Sequence, residues 1–332
     1  MKFLVIRFSS IGDIVLATPA IRCLKQQIPD AELHFLTKKS FKAVTEANPY
    51  IDRFHYFDNN LPEIIKTIKQ EKFDCVIDLH KNLRTLRIRL SLWGSVKWLS
   101  YKKLTLQKFL LTKFHINIIS KEHISQRCIH ALKPLGIADD GKGLDYFIKT
   151  KNIVVPDLLP ETHKNGYAAI AIGGSYFTKK MPVEKLISLC KMLEQKIILL
   201  GGSEDEEAGN AIAATNPEKI YNACGKYNLN QSADIVRRAA YVVSHDTGLQ
   251  YIACAFQKPV LAIWGGTSPM LAVEPYYGTN EKPKHTNFIV PELGCQPCSN
   301  YGTRTCPKKH FKCMYMQNIE AIAGQANVKL EN

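Results

Sequence analysis

Short apolar runs of β type, each followed directly by a glycine-bearing loop, recur through the second half of this 332-residue chain. The predicted strands cover residues 168–172, 196–200, 220–221, 240–244 and 258–264, and the loops after them contain Gly173, Gly201, Gly225, Gly248 and Gly265. Helical segments separate the strands, so the pattern predicts a parallel sheet with helices on both faces. The ligand crevice of such a sheet lies at the carboxyl ends of its strands.

The first half shows the same alternation. Residues 2–8, 32–37 and 74–79 read as strands, and residues 14–27 carry apolar side chains at helical spacing. A polar segment at 149–165, with Pro156 and Pro160, reads as a linker. We therefore predict an α/β protein of two doubly wound Rossmann-like domains, 1–155 and 156–332, which face each other across a ligand-binding cleft. The last helix is expected to pack back on the N-terminal domain.

Composition excludes several classes of protein. With 45% hydrophobic and 22% charged residues, the chain is globular rather than disordered. No apolar run approaches the roughly 20 residues of a membrane span, and Arg7 interrupts the first apolar stretch, so no signal peptide is expected. Six of the ten cysteines stand singly in apolar segments, which is typical of reduced thiols in a cytoplasmic protein.

Two loops have the composition of anion-binding helix starts. The first, at residues 9–13, joins a strand to a helix and offers two serines, Gly12 and Asp13. Asp13 there reads equally well as a helix cap. The second, at residues 246–248, offers Asp, Thr and Gly at the start of another helix and suits a diphosphate. Between them, Lys179 and Lys180 precede a helix start, where a phosphate contact is favoured over simple solvation.

These motifs, taken in order, resemble glycosyltransferase family 9, the group of ADP-heptose:lipopolysaccharide heptosyltransferases. The matching stretches are residues 6–20 (IRFSSIGDIVLATPA), 179–185 (KKMPVEK), 199–205 (LLGGSED), 242–248 (VVSHDTG), 295–298 (CQPC) and 306–307 (CP). The resemblance implies a GT-B fold and a metal-independent, inverting transfer. It implies a nucleotide-sugar donor, ADP-heptose, held by the C-terminal domain, with the acceptor against the N-terminal domain and no cofactor.

The resemblance also assigns roles to residues. Asp13 would be the general base that takes the proton of the acceptor hydroxyl. Lys179 would bind the donor phosphates and Asp205 the ribose. The full donor-binding set is Ser9, Ser10, Gly12, Ser175, Lys179, Asp205, Asp246, Thr247, Gly248 and Tyr251. At Tyr251 the chain departs from the family, which commonly has His there; a tyrosine donates a hydrogen bond but carries no positive charge.

A basic stretch accounts for much of the net charge of +14. No Asp or Glu occurs between Asp78 and Glu122, where Leu and Trp residues interleave with Lys81, Arg84, Arg87, Arg89, Lys97, Lys102, Lys103, Lys108 and Lys113. The pattern fits an amphipathic surface on anionic lipid, or a site for a phosphorylated acceptor. We predict that Lys81, Arg84 and Arg87 bind the acceptor. Nucleic-acid binding is the competing interpretation, and no nucleic-acid-binding motif supports it.

Four cysteines are clustered near the C-terminus, with spacing C-x2-C-x7-C-x6-C. The sequence predicts a compact reduced loop without metal, and a structural metal site at Cys295, Cys298, Cys306 and Cys313 is the alternative.

The resulting hypothesis is a heptosyltransferase that acts on a phosphorylated glycolipid. We expect a monomer in the cytoplasm, peripheral on the inner face of the inner membrane. The alternatives are a GT-B enzyme with another nucleotide sugar, a nucleotide-sugar epimerase, and a nucleic-acid-binding protein.

Overall fold

The structure is a computed structural model in which residues 1–328 are described. The chain divides into two compact units, each built on one parallel sheet. The first unit comprises Met1–Lys103, Glu122–Phe147 and Gly278–Glu281. The second comprises Leu104–Lys121, Ile148–Tyr277 and the part of the chain that begins at Lys282.

The first sheet is five-stranded and parallel throughout, with the order β3-β2-β1-β4-β5. Its strands are β1 (Lys2–Ile6), β2 (Glu32–Lys38), β3 (Arg53–Phe57), β4 (Cys75–Asp78) and β5 (Lys97–Ser100). The central strand β1 is almost wholly buried, as expected of a parallel strand covered on both faces.

The second sheet is six-stranded and parallel, with the order β11-β10-β9-β6-β7-β8. Its strands are β6 (Ala168–Ala171), β7 (Ile197–Leu200), β8 (Ile220–Asn222), β9 (Val242–His245), β10 (Val260–Ile263) and β11 (His285–Phe288). The predicted strands of the second half all form, and the two doubly wound α/β units are confirmed.

Helices connect the strands. In chain order they are α1 (Ile11–Val15), α2 (Thr18–Gln27), α3 (Lys42–Thr45), α4 (Leu61–Glu71), α5 (Leu83–Ser91), α6 (Thr105–Phe114), α7 (Ile124–His130), α8 (Val183–Met192), α9 (Glu206–Ala213), α10 (Leu229–Arg238), α11 (Gly248–Ala255), α12 (Lys312–Tyr315) and α13 (Ile319–Val328). Within residues 1–328, no helix is long and apolar enough to span a bilayer.

The predicted helix at 14–27 forms as two helices, α1 and α2, with a break at Leu16 and Ala17. Pro19 lies in the first turn of α2, where no helical hydrogen bond requires its missing N–H. In the interior of one continuous helix that hydrogen bond would be lost, so the proline favours two helices with a break before it. Three further strands, β3, β5 and β11, were not predicted. They pair at or near the sheet edges and are less buried, so their sequences lack the continuous apolar run of a central strand.

Each unit has its own apolar core. In the first, side chains of β1 and β4 pack with Ile64 and Ile68 of α4 and Ile88 of α5. In the second, the core runs from β6 and β7 to α8 and includes Ile319 and Ile322 of α13. The helix that the sequence predicts to pack back on the N-terminal domain is α13, and its principal contacts are with α8 of its own unit.

In each sheet, the strands that follow the first strand of the unit are added first on one side of it and then on the other. This switch point falls between β1 and β4 in the first sheet and between β6 and β9 in the second. In open parallel sheets, ligands bind where the loops diverge at such a point. The loops after β1, β6 and β9 carry Asp13, Lys179 and Asp246, so the fold brings the predicted site residues to the switch points.

Candidate active site

Asp13 lies beyond the carboxyl end of β1, in the first turn of α1. Ser10 is the N-cap residue of that helix, and Asp13 Oδ2 accepts hydrogen bonds from Ser10 N (3.1 Å) and Ser10 Oγ (3.0 Å). Asp13 therefore takes part in a capping box at the start of α1, in line with the helix-cap interpretation of the sequence. Its carboxylate is about one-third exposed, so it is also accessible to a ligand.

A buried arginine holds the other carboxylate oxygen. Arg7, at the end of β1, places Nη2 2.6 Å from Asp13 Oδ1, stacks over the Tyr101 ring and also donates to the carbonyl of Leu79. Burial raises the pKa of Asp13, and the Arg7 charge and the Ser10 donors outweigh that effect, so the pKa is lower than usual. Asp13 is thus held ionised.

The end of β4 supplies a second set of groups beside Arg7. Asp78 Oδ1 accepts from the backbone N–H groups of His80 (2.9 Å) and Lys81 (2.7 Å), which turns the chain sharply after the strand. Burial and the Arg7 charge lower the pKa of His80 to about 3, so this ring is neutral. Lys103 Nζ donates to the Lys81 carbonyl (2.9 Å), and burial with the Arg7 charge lowers the pKa of Lys103.

A cleft of about 470 Å³ opens at this edge of the first sheet. It is lined by Asp78, Lys81, Asn82, Leu83, Thr85, Leu86, Arg89, Trp98, Ser100 and Lys103. Asn82 caps α5, accepting hydrogen bonds from two backbone N–H groups of the first turn. Three cationic side chains, those of Lys81, Arg89 and Lys103, give this cleft the character of an anion site.

The predicted acceptor residues are distributed unevenly around this cleft. Lys81 lines it, whereas Arg84 and Arg87 are exposed on α5 and are not among its lining residues. The Arg84 guanidinium lies over the Phe57 ring, 5.6 Å from its centroid. Arg89 and Lys103 supply the other cationic groups of the cleft. Nothing in the basic stretch of the sequence distinguishes these two residues from its other members.

In the second unit, the loops after β6 and β9 meet. Lys179 Nζ lies 2.7 Å from Asp246 Oδ2 and 2.9 Å from the Asp246 carbonyl oxygen. Thr247 is the N-cap residue of α11, but its side chain does not cap the helix. The N–H groups of the first turn of α11, beginning at Gly248, can therefore serve an anion, with the Lys179 ammonium beside them.

The loop after β7 brings a second Lys–Asp pair to the same edge of the sheet. Lys180 Nζ lies 2.5 Å from Oδ1 of the buried Asp205, whose Oδ2 accepts from Gly202 N (3.0 Å). A Cβ added at Gly173 would lie 2.5 Å from Asp205 Oδ2, so glycine is needed for this close approach. The sequence indicates a phosphate contact for Lys180 as well as for Lys179, and the structure pairs Lys180 with Asp205.

The remaining predicted donor residues occupy different environments. Tyr251 is buried, with its hydroxyl 2.7 Å from the Val273 carbonyl oxygen and 3.1 Å from Asp246 Oδ1. Ser175 and Ser10 are exposed, Ser9 is half-buried and Gly12 is buried. Tyr251 thus supports Asp246 within the protein, which a tyrosine can do without a charge.

Two groups of possible metal ligands are close enough to share an ion. Among residues 1–328, ligand atoms within 4.8 Å of one another occur in His34 with His55 and Glu71, and in Cys23 with Asp139 and Asp140. In each group a carboxylate is already bound: Glu71 by Lys2 and Arg53, and Asp140 by Arg22. Neither group includes a residue of the predicted site.

Comparisons of the chain with a family model and with curated proteins point to the same family. A model described as "Glycosyltransferase family 9 (heptosyltransferase)" matches residues 62–309, well over half of the chain. Lipooligosaccharide heptosyltransferase 2 of Campylobacter jejuni serotype O:2 is 24% identical over 341 residues, covering 97% of this chain and 96% of that protein. Lipooligosaccharide heptosyltransferase 2 of Haemophilus influenzae is 35% identical over 98 residues, which span 27% of this chain and 28% of that protein.

Solved structures give the same fold. The structure entitled "E. coli heptosyltransferase WaaC with ADP-2-deoxy-2-fluoro heptose" matches with a TM-score of 0.68 and 18% identity over 100% of both chains. This likeness confirms the predicted GT-B fold class. With the family match, it identifies the chain as a glycosyltransferase, a member of glycosyltransferase family 9, the heptosyltransferase family.

Proposed function

We propose that this protein is an inverting, metal-independent heptosyltransferase that moves heptose from ADP-heptose to a lipopolysaccharide core acceptor, with Asp13 as the general base. Membership of the family supports the transferase chemistry. The observation that carries the assignment of the base is the Asp13 carboxylate: accessible, beyond the central strand of the first sheet, and held ionised by Arg7. A general base must be deprotonated before it acts.

In this reaction the acceptor oxygen attacks the anomeric carbon while the bond from that carbon to the diphosphate breaks. The acceptor hydroxyl becomes acidic only as the new C–O bond forms, so a carboxylate of low basicity can take its proton late. Arg7 then serves two purposes: it keeps Asp13 ionised beforehand and, together with the Ser10 donors on Oδ2, fixes the orientation of the carboxylate that would meet the hydroxyl.

The donor diphosphate is assigned to the start of α11. A Lys ammonium has three donors, and Asp246 takes two of those on Lys179, through Oδ2 and the carbonyl oxygen. The third remains for a phosphate oxygen. Together with the first-turn N–H groups of α11, it would stabilise the charge that develops on the departing nucleoside diphosphate. Asp205, fixed by Lys180 and Gly202, is assigned to the ribose hydroxyls.

The phosphorylated glycolipid acceptor is assigned to the cleft at β4, β5 and α5, where Lys81, Arg89 and Lys103 would bind its anionic groups. Beside that cleft, α5 exposes Leu83, Leu86 and Leu90, followed by Trp93. Apolar side chains among arginines are typical of a surface that rests on anionic lipid. We therefore propose that the protein is cytoplasmic and binds the inner face of the inner membrane peripherally, as a monomer.

The test of the base is Asp13→Asn, which keeps the size of the side chain but cannot accept the proton. We expect transfer from ADP-heptose to fall by about 10²–10⁴-fold while calorimetric binding of ADP to the second unit stays near wild type. Asp58→Asn is the matched control, because it removes the charge of an exposed carboxylate that pairs with Lys39. Transfer near the wild-type rate in Asp13→Asn would show that another group is the base.

Two alternatives, a transferase that uses a different nucleotide sugar and an epimerase, predict that the protein prefers a nucleotide other than ADP. A thermal-shift series with ADP, UDP, GDP and their sugars distinguishes them, because a bound ligand raises the melting temperature by mass action. The proposal expects the largest shift with ADP-heptose. A larger shift with a uridine or guanosine nucleotide would contradict ADP-heptose as the donor, but it would not contradict the transferase chemistry.

A further inference from the structure

Tyr251 lies on α11, with its side chain buried and its hydroxyl between two loops of the second unit. The hydroxyl donates to the Val273 carbonyl oxygen (2.7 Å), in the loop after β10, and to Asp246 Oδ1 (3.1 Å), in the loop after β9. A phenol has one proton, so the two acceptors share it. The Tyr251 side chain thus joins the loop after β10 to the carboxylate of Asp246.

The Asp246 carboxylate is buried, and its two oxygens accept from different side chains. Oδ2 lies 2.7 Å from Lys179 Nζ, while Oδ1 accepts from the Tyr251 hydroxyl. The Lys179 ammonium also donates to the Asp246 carbonyl oxygen (2.9 Å), which leaves one of its three protons for a ligand. Without the hydroxyl, that third proton would be drawn to Oδ1, because a buried acceptor that loses its donor is costly.

The loop after β10 also holds the backbone next to Lys179. The Gly266 N–H donates to the Thr178 carbonyl oxygen (2.7 Å), and a Cβ added at Gly265 would clash with that same oxygen. Thr178 immediately precedes Lys179 in the chain. One loop therefore fixes the backbone beside the lysine directly and the lysine ammonium through two intervening side chains.

The charges at this edge of the sheet make the direction of each donor important. Two Lys–Asp pairs lie here, Lys179 with Asp246 and Lys180 with Asp205, and each pair has no net charge. Tyr251 adds no charge either. Binding of a diphosphate should therefore depend on where the donors point, and the loss of one neutral hydroxyl should be measurable.

We propose that Tyr251 is a positioning residue for diphosphate binding. Its hydroxyl satisfies Asp246 Oδ1 and thereby leaves the third Lys179 proton free for a phosphate oxygen. The inference rests on the proposed donor site at the start of α11 and deepens it. Tyr251 acts there without touching the donor, since its side chain is buried and its hydroxyl proton is shared between two protein acceptors.

The test compares calorimetric binding of ADP with that of adenosine, because only the diphosphate uses the Lys179 proton. Tyr251→Phe keeps the ring and loses the hydroxyl. We expect the dissociation constant of ADP to rise about ten-fold, roughly the value of one hydrogen bond to a charged group, while adenosine binding stays near wild type. Tyr167→Phe is the matched control: it removes a buried hydroxyl that donates to the Ile235 carbonyl oxygen (2.7 Å), and ADP binding should not change.

A double-mutant cycle separates positioning from general damage to the fold. If the hydroxyl acts through Lys179, Tyr251→Phe should have little further effect on ADP binding once Lys179→Met has removed the ammonium. Three results would each overturn the proposal: unchanged ADP affinity in Tyr251→Phe, equal losses of ADP and adenosine, or an undiminished effect in the Lys179→Met background.

Failure of the proposed donor is distinguishable from failure of this inference. Wild-type protein that prefers UDP to ADP would count against ADP-heptose, and the same comparison then uses UDP and uridine, because the inference concerns the diphosphate and not the base. Wild-type protein that binds no nucleoside diphosphate would contradict both the donor site and the role of Tyr251.

Discussion

At the scale of single residues, the ion pair of Arg7 with Asp13 sets the charge state of the proposed base. Arg7 is only 4% exposed, and burial alone would lower its pKa; the Asp13 carboxylate, with smaller contributions from Tyr101 and Cys128, more than offsets this effect. Removing either partner would leave the other with an uncompensated charge, a costly change at a buried site. This mutual dependence makes the pH profile of transfer a measure of the pair.

We predict that Arg7→Gln moves the acidic limb of the pH–activity profile to higher pH. Arg7 lowers the pKa of Asp13, and without that cation the burial effect raises it. A base with a higher pKa becomes protonated, and inactive, at a higher pH; the expected shift is about one to three pH units. Arg7→Lys, which keeps the charge, should shift the limb less. An unmoved limb in Arg7→Gln would show that Asp13 is not the titrating base.

At the scale of elements, the strand ends that form the proposed donor site require close packing between loops. A Cβ added at Gly201, after β7, would lie 2.8 Å from Asp205 Cβ and 3.0 Å from Cys224 Sγ. Asp205 cannot easily move, because Lys180 and Gly202 hold its two oxygens. The sequence predicts the strand and a glycine-bearing loop after it. It does not show which side chain packs against that glycine.

We predict that Gly201→Ala lowers the free energy of unfolding by about 1–3 kcal/mol and weakens nucleotide binding, because Asp205 is displaced. Gly324→Ala is the matched control, since an added Cβ within α13 meets no atom within 4 Å. In a helix this exchange should stabilise the protein by about 0.4–1 kcal/mol and leave binding unchanged. Chemical denaturation and calorimetry measure both effects, and equal behaviour of the two variants would contradict the packing argument.

At the scale of the whole molecule, the net charge of +14 and the acid-free stretch between Asp78 and Glu122 predict an anionic surface as a partner. The structure adds that the apolar residues of this stretch include exposed ones: Leu83 and Trp93 are 78% and 74% exposed. A charged surface alone would bind any polyanion, whereas exposed apolar side chains favour lipid.

We predict that the protein cosediments with vesicles containing phosphatidylglycerol and much less with phosphatidylcholine vesicles. Binding should weaken as salt screens the arginines and lysines. The double variant Leu83→Ser with Trp93→Ser should lose binding even at low salt, and Leu158→Ser, an exposed leucine outside this surface, should not. Equal binding by both variants would assign the interaction to charge alone.

The sequence by itself determined the two α/β units, the strands of the second half and the loops that carry Asp13, Lys179, Asp205 and Asp246, because these features repeat with the local periods of strands and helices. Only the tertiary structure decided which groups meet. Arg7 reaches Asp13, Lys180 reaches Asp205, and Arg89 and Lys103 join Lys81 in one cleft. These contacts depend on strand order and on the close approach of separate loops, which leave no periodic signal in a single sequence.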